Sequence, residues 1–203
     1  MARTLPGEAK QKVLEAAVPL FSKNGYTATS IRDIANAAGV NQNTIFRIFR
    51  DKYSLYLEMF AMLSQQWRFF DRVEAAMRAA PDDQAALVAD MRAFTQLLQE
   101  YPDSARLFLF VGLESPEFER RMLQEAVAPL YRLVADRIRH GIESGIFRDV
   151  NPMIAARALF AIHYYHHVLG HIFGADHVPE LAVGDPVEEY CRIWLDGISR
   201  RDA

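Results

Sequence analysis

With one cysteine in 203 residues, Cys191, the chain cannot make an internal disulfide. No apolar run approaches the roughly 18 residues of a membrane-spanning helix. The N-terminus lacks the basic-then-apolar layout of a secretory leader, so a cytoplasmic location is expected. Sustained alternation of apolar and polar residues, the mark of half-buried strands, is missing. So are G-x-G-x-x-G, the phosphate-binding loop, the nucleophile elbow and H-E-x-x-H. Neither catalysis nor a cofactor is therefore expected. The net charge of −3 is too small to announce a polyanion partner by itself.

Half of the residues are hydrophobic (51%) and 24% are charged, enough apolar material for a sizeable core. The charge is unevenly spread. Residues 1–52 carry eight Lys and Arg against four Asp and Glu, a local +4, and the remainder carries −7. A basic head on an acidic body suits a chain with one end facing a polyanion.

The apolar spacing is helical nearly throughout and predicts an all-α fold of about nine helices. Val13, Ala17, Leu20 and Phe21 share one face of a first helix running from Pro6-Gly7 to Asn24-Gly25, with Pro19 as a mild kink inside it. Ser30-x-x-Asp33 reads as a capping box opening a second, short helix, with Thr29 as the alternative cap; Gly39 ends that helix. Asn41 caps a third, whose inner face is Ile45, Ile48 and Phe49. Asp51 opens a long fourth helix reaching about Ala79. Further helices are expected at about 83–100, 103–112, 116–144, 151–173 and 186–199, with Pro129 a possible kink in the longest.

Helices two and three meet at Gly39-Val40, as in a helix-turn-helix over residues 30–49. The third helix would present Gln42, Asn43, Phe46 and Arg47 outward. Gln and Asn can pair bidentately with adenine in the major groove, and Arg with guanine. Thr44, Arg50 and Lys52 suit phosphate oxygens.

The string TSIRDIANAAGVNQNTIFRIFRDK, residues 29–52, resembles the DNA-binding signature of the TetR family of transcriptional regulators. The likeness begins at Leu20-Phe21 and Gly25-Tyr26, continues into Tyr53-Ser54-Leu55, and covers about residues 7–67. It implies a DNA-binding domain there and a ligand-binding and dimerisation domain over 68–203, joined by the long helix. It also implies roles: Thr29 and Ser30 near a phosphate, Arg32 at a base edge, Gln42 and Asn43 as base readers, and Thr44, Phe46 and Lys52 on the phosphate backbone. Asn41 and Arg47 complete the DNA-facing set. Phe46 departs from the usual Tyr and loses a hydroxyl; Arg47 and Ile48 stand where His or Tyr is common.

The resemblance further implies a homodimer on a pseudo-palindromic operator, formed through helices 151–173 and 186–199. Ala155, Leu159, Ile162, Tyr165 or His166, Leu169 and Phe173 make a compatible apolar stripe. Trp67, Phe70, Phe94, Phe108, Phe110 and Tyr164 are the candidate ligand-pocket residues, and they favour an apolar or aromatic small molecule. His163, His166, His167 and His171 include two i,i+4 pairs, yet no completing ligand pattern stands near them in sequence, and metal binding is not expected. The function these features imply is a transcriptional repressor released from its operator by a small molecule. The alternatives are an all-α enzyme or adaptor without DNA binding, and a DNA-binding regulator that answers to no ligand.

Overall fold

Local capping and turn chemistry set most element boundaries in the computed structural model, which describes residues 6–114, 120 and 122–199. The helices are α1 (Pro6–Ala28), α2 (Ile31–Ala38), α3 (Gln42–Ile48), α4 (Lys52–Trp67), α5 (Phe69–Ala79), α6 (Asp83–Glu100) and α7 (Pro102–Glu114). They continue with α8 (Ala128–Glu143), α9 (Pro152–His167) and α10 (Val187–Ile198). A π-helical turn, Leu123–Val127, precedes α8, and a second, Val168–Ile172, extends α9. No strand occurs among the described residues; the fold is all-α. The predicted start of the 116–144 helix lies outside the described residues. Pro129 sits in the first turn of α8, directly after that π-helical turn, and has no N–H to donate back to it.

The expected continuous helix from Asp51 to Ala79 is interrupted. Arg68 adopts a left-handed conformation (φ 43°, ψ 37°), its N–H donates to the Ser64 carbonyl, and the chain restarts as α5. A left-handed arginine carries no sequence signal comparable to glycine or proline, which is why apolar periodicity ran straight across it.

The chain divides into two compact units, Met1–Arg68 with Arg106–Phe118, and Phe69–Ala105 with Glu119–Ala203. In the first, Val13, Ala17 and Phe21 of α1 are completely buried, as are Ile34 of α2 and Leu55 and Met59 of α4. Phe49, just past α3, is buried with them and contributes about 1.5–3 kcal/mol by leaving water. Phe21 meets Tyr56 edge-on at 4.7 Å between ring centroids, and Tyr26 lies 5.0 Å from Tyr56.

The core of the second unit joins Val73 and Met77 of α5, Leu87 and Met91 of α6, Val134 and Ile138 of α8, Ala156, Leu159 and Phe160 of α9, and Cys191 and Trp194 of α10. Asp83, the first residue of α6, is buried and accepts from Arg137 Nη1 (3.0 Å) and His140 Nδ1 (2.7 Å) of α8. Gly141 of α8 leaves room for Phe147: a Cβ there would stand 2.3 Å from the ring.

Candidate nucleic-acid interface

The helix-turn-helix is assembled by three caps. Ser30 Oγ accepts from the Asp33 N–H (3.1 Å), and the Asp33 carboxylate accepts from the Ser30 N–H (3.3 Å), a reciprocal box that starts α2. The Ser30 hydroxyl also donates to the Asp33 carboxylate (2.5 Å), and this bond, with that from the Ser30 N–H, holds the Asp33 carboxyl below its ordinary range. Gly39 is left-handed (φ 65°, ψ 32°), and the Val40 N–H returns to the Ala35 carbonyl at 3.0 Å. The Asn41 side chain then accepts from the Asn43 N–H (2.9 Å) and starts α3. Asp51 does the same for α4 through the Ser54 N–H (2.7 Å).

With the short helices fixed, the amphipathic phase of α3 decides what faces out. Ile45 and Phe49 are buried and Ile48 is half-buried. Gln42, Asn43, Phe46 and Arg47 are exposed on the other side, and Thr44 is half-buried. Phe46 is 53% exposed, a large apolar surface on an otherwise polar face. Arg32 of α2 is exposed as well.

Two members of the expected DNA-facing set are placed otherwise than their sequence position suggests. Thr29 is 1% exposed, and its hydroxyl donates to the carbonyls of Gly25 (2.7 Å) and Leu20 (3.1 Å). That side chain ties α1 to the start of α2 and is not available to a phosphate. Lys52 is half-buried: Nζ donates to the carbonyls of Thr29 (2.8 Å) and Thr27 (3.4 Å) and lies 4.3 Å from the Tyr26 ring centroid. Partial burial lowers its pKa, and the charge of Glu114 opposes that shift. An ammonium has three donors, so one remains for an outside acceptor.

Tyr26 and Glu114 complete this corner, and sequence reasoning gave neither a role in it. The Glu114 carboxylate accepts from the N–H groups of Tyr26 (2.5 Å) and Thr27 (3.4 Å). The only local hint was Gly25.

The six candidate pocket residues divide between the two units. Trp67, Phe108 and Phe110 belong to the first unit, with Trp67 buried and 6.2 Å from Phe108. Phe70, Phe94 and Tyr164 belong to the second. Phe70 is 39% exposed, so it is not an interior residue of that unit. Phe94 meets Phe160 edge-on at 5.2 Å, Tyr131 lies 5.0 Å from Phe160, and the Tyr164 hydroxyl donates to the Ala105 carbonyl at 3.1 Å.

The expected dimer stripe also needs correcting. Ala155 and Leu159 are buried in the chain's own core, while Ile154, Ala158, Ala161 and Tyr165 form the exposed strip of α9.

The histidines are mostly buried or bonded. His163 Nδ1 donates to the Leu159 carbonyl (2.8 Å), and His166 Nε2 lies 3.1 Å from the Gly184 carbonyl oxygen. Burial pushes His167 down to about 4. Among the described residues no group of three or more His, Cys, Asp or Glu is arranged to hold a metal ion.

Residues 13–59 match the model for bacterial regulatory proteins of the tetR family. That segment is a DNA-binding domain of the TetR type. It is 25% identical over 202 residues to the transcriptional regulator RutR of Escherichia coli, covering 95% of this chain and 91% of that protein. It is likewise 25% identical over 203 residues to the transcriptional repressor NicS of Pseudomonas putida, covering 94% and 92%. The fold superposes on the regulator FadR of Bacillus subtilis, solved with stearoyl-CoA, with a TM-score of 0.74 at 20% identity, over 93% of this chain and 98% of that one. This chain is thus a DNA-binding transcriptional regulator, with α2 and α3 as its helix-turn-helix and no enzyme among these relatives.

Proposed function

We propose that this regulator is a cytoplasmic, homodimeric repressor that grips a pseudo-palindromic operator with α3 of each copy and lets go when a small molecule binds. The observation that carries the DNA half is the outer face of α3. Gln42, Asn43, Phe46 and Arg47 project from a helix whose opposite face is buried, so their rotation about the helix axis is fixed before DNA arrives. Gln42 and Asn43 read bases, Arg47 reads a base or meets a phosphate, and Ser30, Asn41, Thr44 and Lys52 serve the backbone. Arg32 reaches an adjacent base edge, and the Phe46 ring packs on a thymine methyl.

One such helix covers too little duplex for tight binding, and a second copy doubles the contact. The exposed strip Ile154, Ala158, Ala161 and Tyr165, spaced at i, i+4, i+7 and i+11, with Ile193 55% exposed on α10, supports a helical dimer seam. In this reading residues 7–67 bind DNA, and 68–203 dimerise and bind the ligand.

The aromatic group Phe94, Tyr131, Phe160 and Tyr164 supports an apolar or aromatic ligand. Stearoyl-CoA, the molecule bound in the Bacillus subtilis FadR structure, has a long apolar chain. Release requires that the ligand favour the DNA-free conformation over the bound one. The test is a mobility shift on duplexes recovered by the full-length protein from a randomised pool. A retarded band abolished by a compound that raises the protein's melting temperature is the expected result. A band insensitive to every stabilising compound would leave a regulator without a ligand.

A further inference from the structure

We propose that Glu114, the last residue of α7, is a positioning residue for DNA binding: its carboxylate clasps the α1–α2 joint and thereby sets the carbonyls that hold Lys52 at the phosphate backbone. The inference rests on the phosphate role of Lys52 proposed above.

The joint is built around Gly25, whose φ of 78° and ψ of 176° fall in a region essentially reserved for glycine. That conformation turns the next two amides, of Tyr26 and Thr27, toward one point, and successive N–H groups so aimed make a small anion site. The Glu114 carboxylate fills it, accepting at 2.5 Å from Tyr26 and 3.4 Å from Thr27. Gly25 is required twice over, because a Cβ there would stand 2.7 Å from both carboxylate oxygens. A charged acceptor on two amides is stronger than a neutral one.

What the clasp holds is the far side of the same turn. Lys52 donates to the carbonyls of Thr27 and Thr29 and lies over the Tyr26 ring. Two of the three residues on which Lys52 rests, Tyr26 and Thr27, are therefore those whose amides Glu114 grips, and the two opposite charges sit on either side of one short loop. Thr29, locked by its own hydroxyl to the Gly25 carbonyl, extends the arrangement to the cap of α2. Glu114 thus orients Lys52 without touching DNA.

This gives a sign that simple electrostatics would not. Removing a negative charge near a polyanion-binding surface should strengthen binding. If Glu114 positions Lys52, removing it weakens binding instead. The experiment compares full-length wild type, Glu114→Ala, Glu114→Gln, Lys52→Ala and the Glu114→Ala/Lys52→Ala double variant. Affinity for a duplex that wild type selects from a randomised pool is measured across salt concentrations, with hydrogen exchange of the Tyr26 and Thr27 amides as a DNA-free readout.

Glu114→Ala is expected to weaken binding about tenfold and to flatten the salt dependence by about one unit, as Lys52→Ala does. The two losses are expected not to add in the double variant. Glu114→Gln, which keeps one acceptor, is expected to recover part of the affinity. Exchange at Tyr26 and Thr27 is expected to accelerate about tenfold or more in Glu114→Ala, without a comparable change in α6. Stronger binding by Glu114→Ala, an unchanged salt slope, or full additivity would each overturn the positioning role, and unchanged exchange would overturn the clasp itself. If instead Lys52→Ala leaves the slope of wild type intact, the phosphate role of Lys52 fails, and exchange alone decides whether the clasp exists.

Discussion

The Lys52 ammonium lies 2.8 Å from the Thr29 carbonyl oxygen, which makes this lysine part of the scaffold as well as part of the proposed contact surface. Replacing it with alanine should therefore act twice. Binding should weaken on every duplex, with the salt slope reduced by about one. Folding stability should also fall by about 1 kcal/mol, the ordinary worth of a hydrogen bond that exchanges with water. Titration over a salt series, together with a urea unfolding curve, separates the two effects.

The caps of the helix-turn-helix should be measurable one by one. Ser30→Ala removes the Oγ that accepts from Asp33 and should cost about 1 kcal/mol. At Gly39 an added Cβ meets nothing within 4 Å, so Gly39→Ala carries only the left-handed backbone penalty of about 1–2 kcal/mol. Denaturant unfolding reads both. A loss well above these values at Gly39 would mean that the turn is more crowded than the structure shows.

Asp90 makes the stability of the second unit depend on pH. It is fully buried, neither carboxylate oxygen has a partner among the described residues, and burial pushes its carboxyl up to about 8. An unfolded aspartate titrates near 3.9. Between roughly pH 4 and 8 the folded chain thus holds a proton that the unfolded chain has released. Stability from this group should fall as pH rises through that window and level off above it. Asp90→Asn, neutral at every pH, should flatten this part of the profile. Melting temperatures of both proteins from pH 5 to about 8.5 check the sign.

Phe46 sets two accounts of one position against each other. If the ring packs on a thymine methyl, Phe46→Tyr should alter sequence preference at one base pair. If the position serves only the backbone, the new hydroxyl should tighten binding to all duplexes by about 1 kcal/mol with preference unchanged. Selection of bound sequences by each protein distinguishes them.

The parts of the fold that were legible in the sequence are those decided by neighbours a few residues apart. Ser30, Gly39, Asn41 and Asp51 act on backbone groups within five residues, and each stands where its residue type says it should. The inner face of α3 followed from helical period alone. What was hidden depends on distant partners or on an ambiguous phase. Glu114 meets Tyr26 across 88 positions, and nothing in the sequence around it advertises an acceptor role. On α9 both faces are apolar, so periodicity could not tell the buried Ala155 and Leu159 from the exposed Ile154 and Tyr165. The same ambiguity affects the aromatic residues chosen as pocket candidates: Phe94 and Phe70 look alike in sequence, yet one packs on Phe160 and the other is exposed.

Base readout by α3 is most directly tested at Gln42, exposed in the first turn of that helix. Wild type and Gln42→Ala are each used to select duplexes from the same randomised pool, and both are titrated against the winning sequence and its single-base variants. The account predicts one well-defined half-site repeated as a pseudo-palindrome. It also predicts a loss of discrimination worth about 1–3 kcal/mol at one position of each half-site in Gln42→Ala, with the other positions unaffected. Wild-type protein that selects no common sequence, or a Gln42→Ala protein that selects the same sequence with undiminished preference at every position, would contradict it.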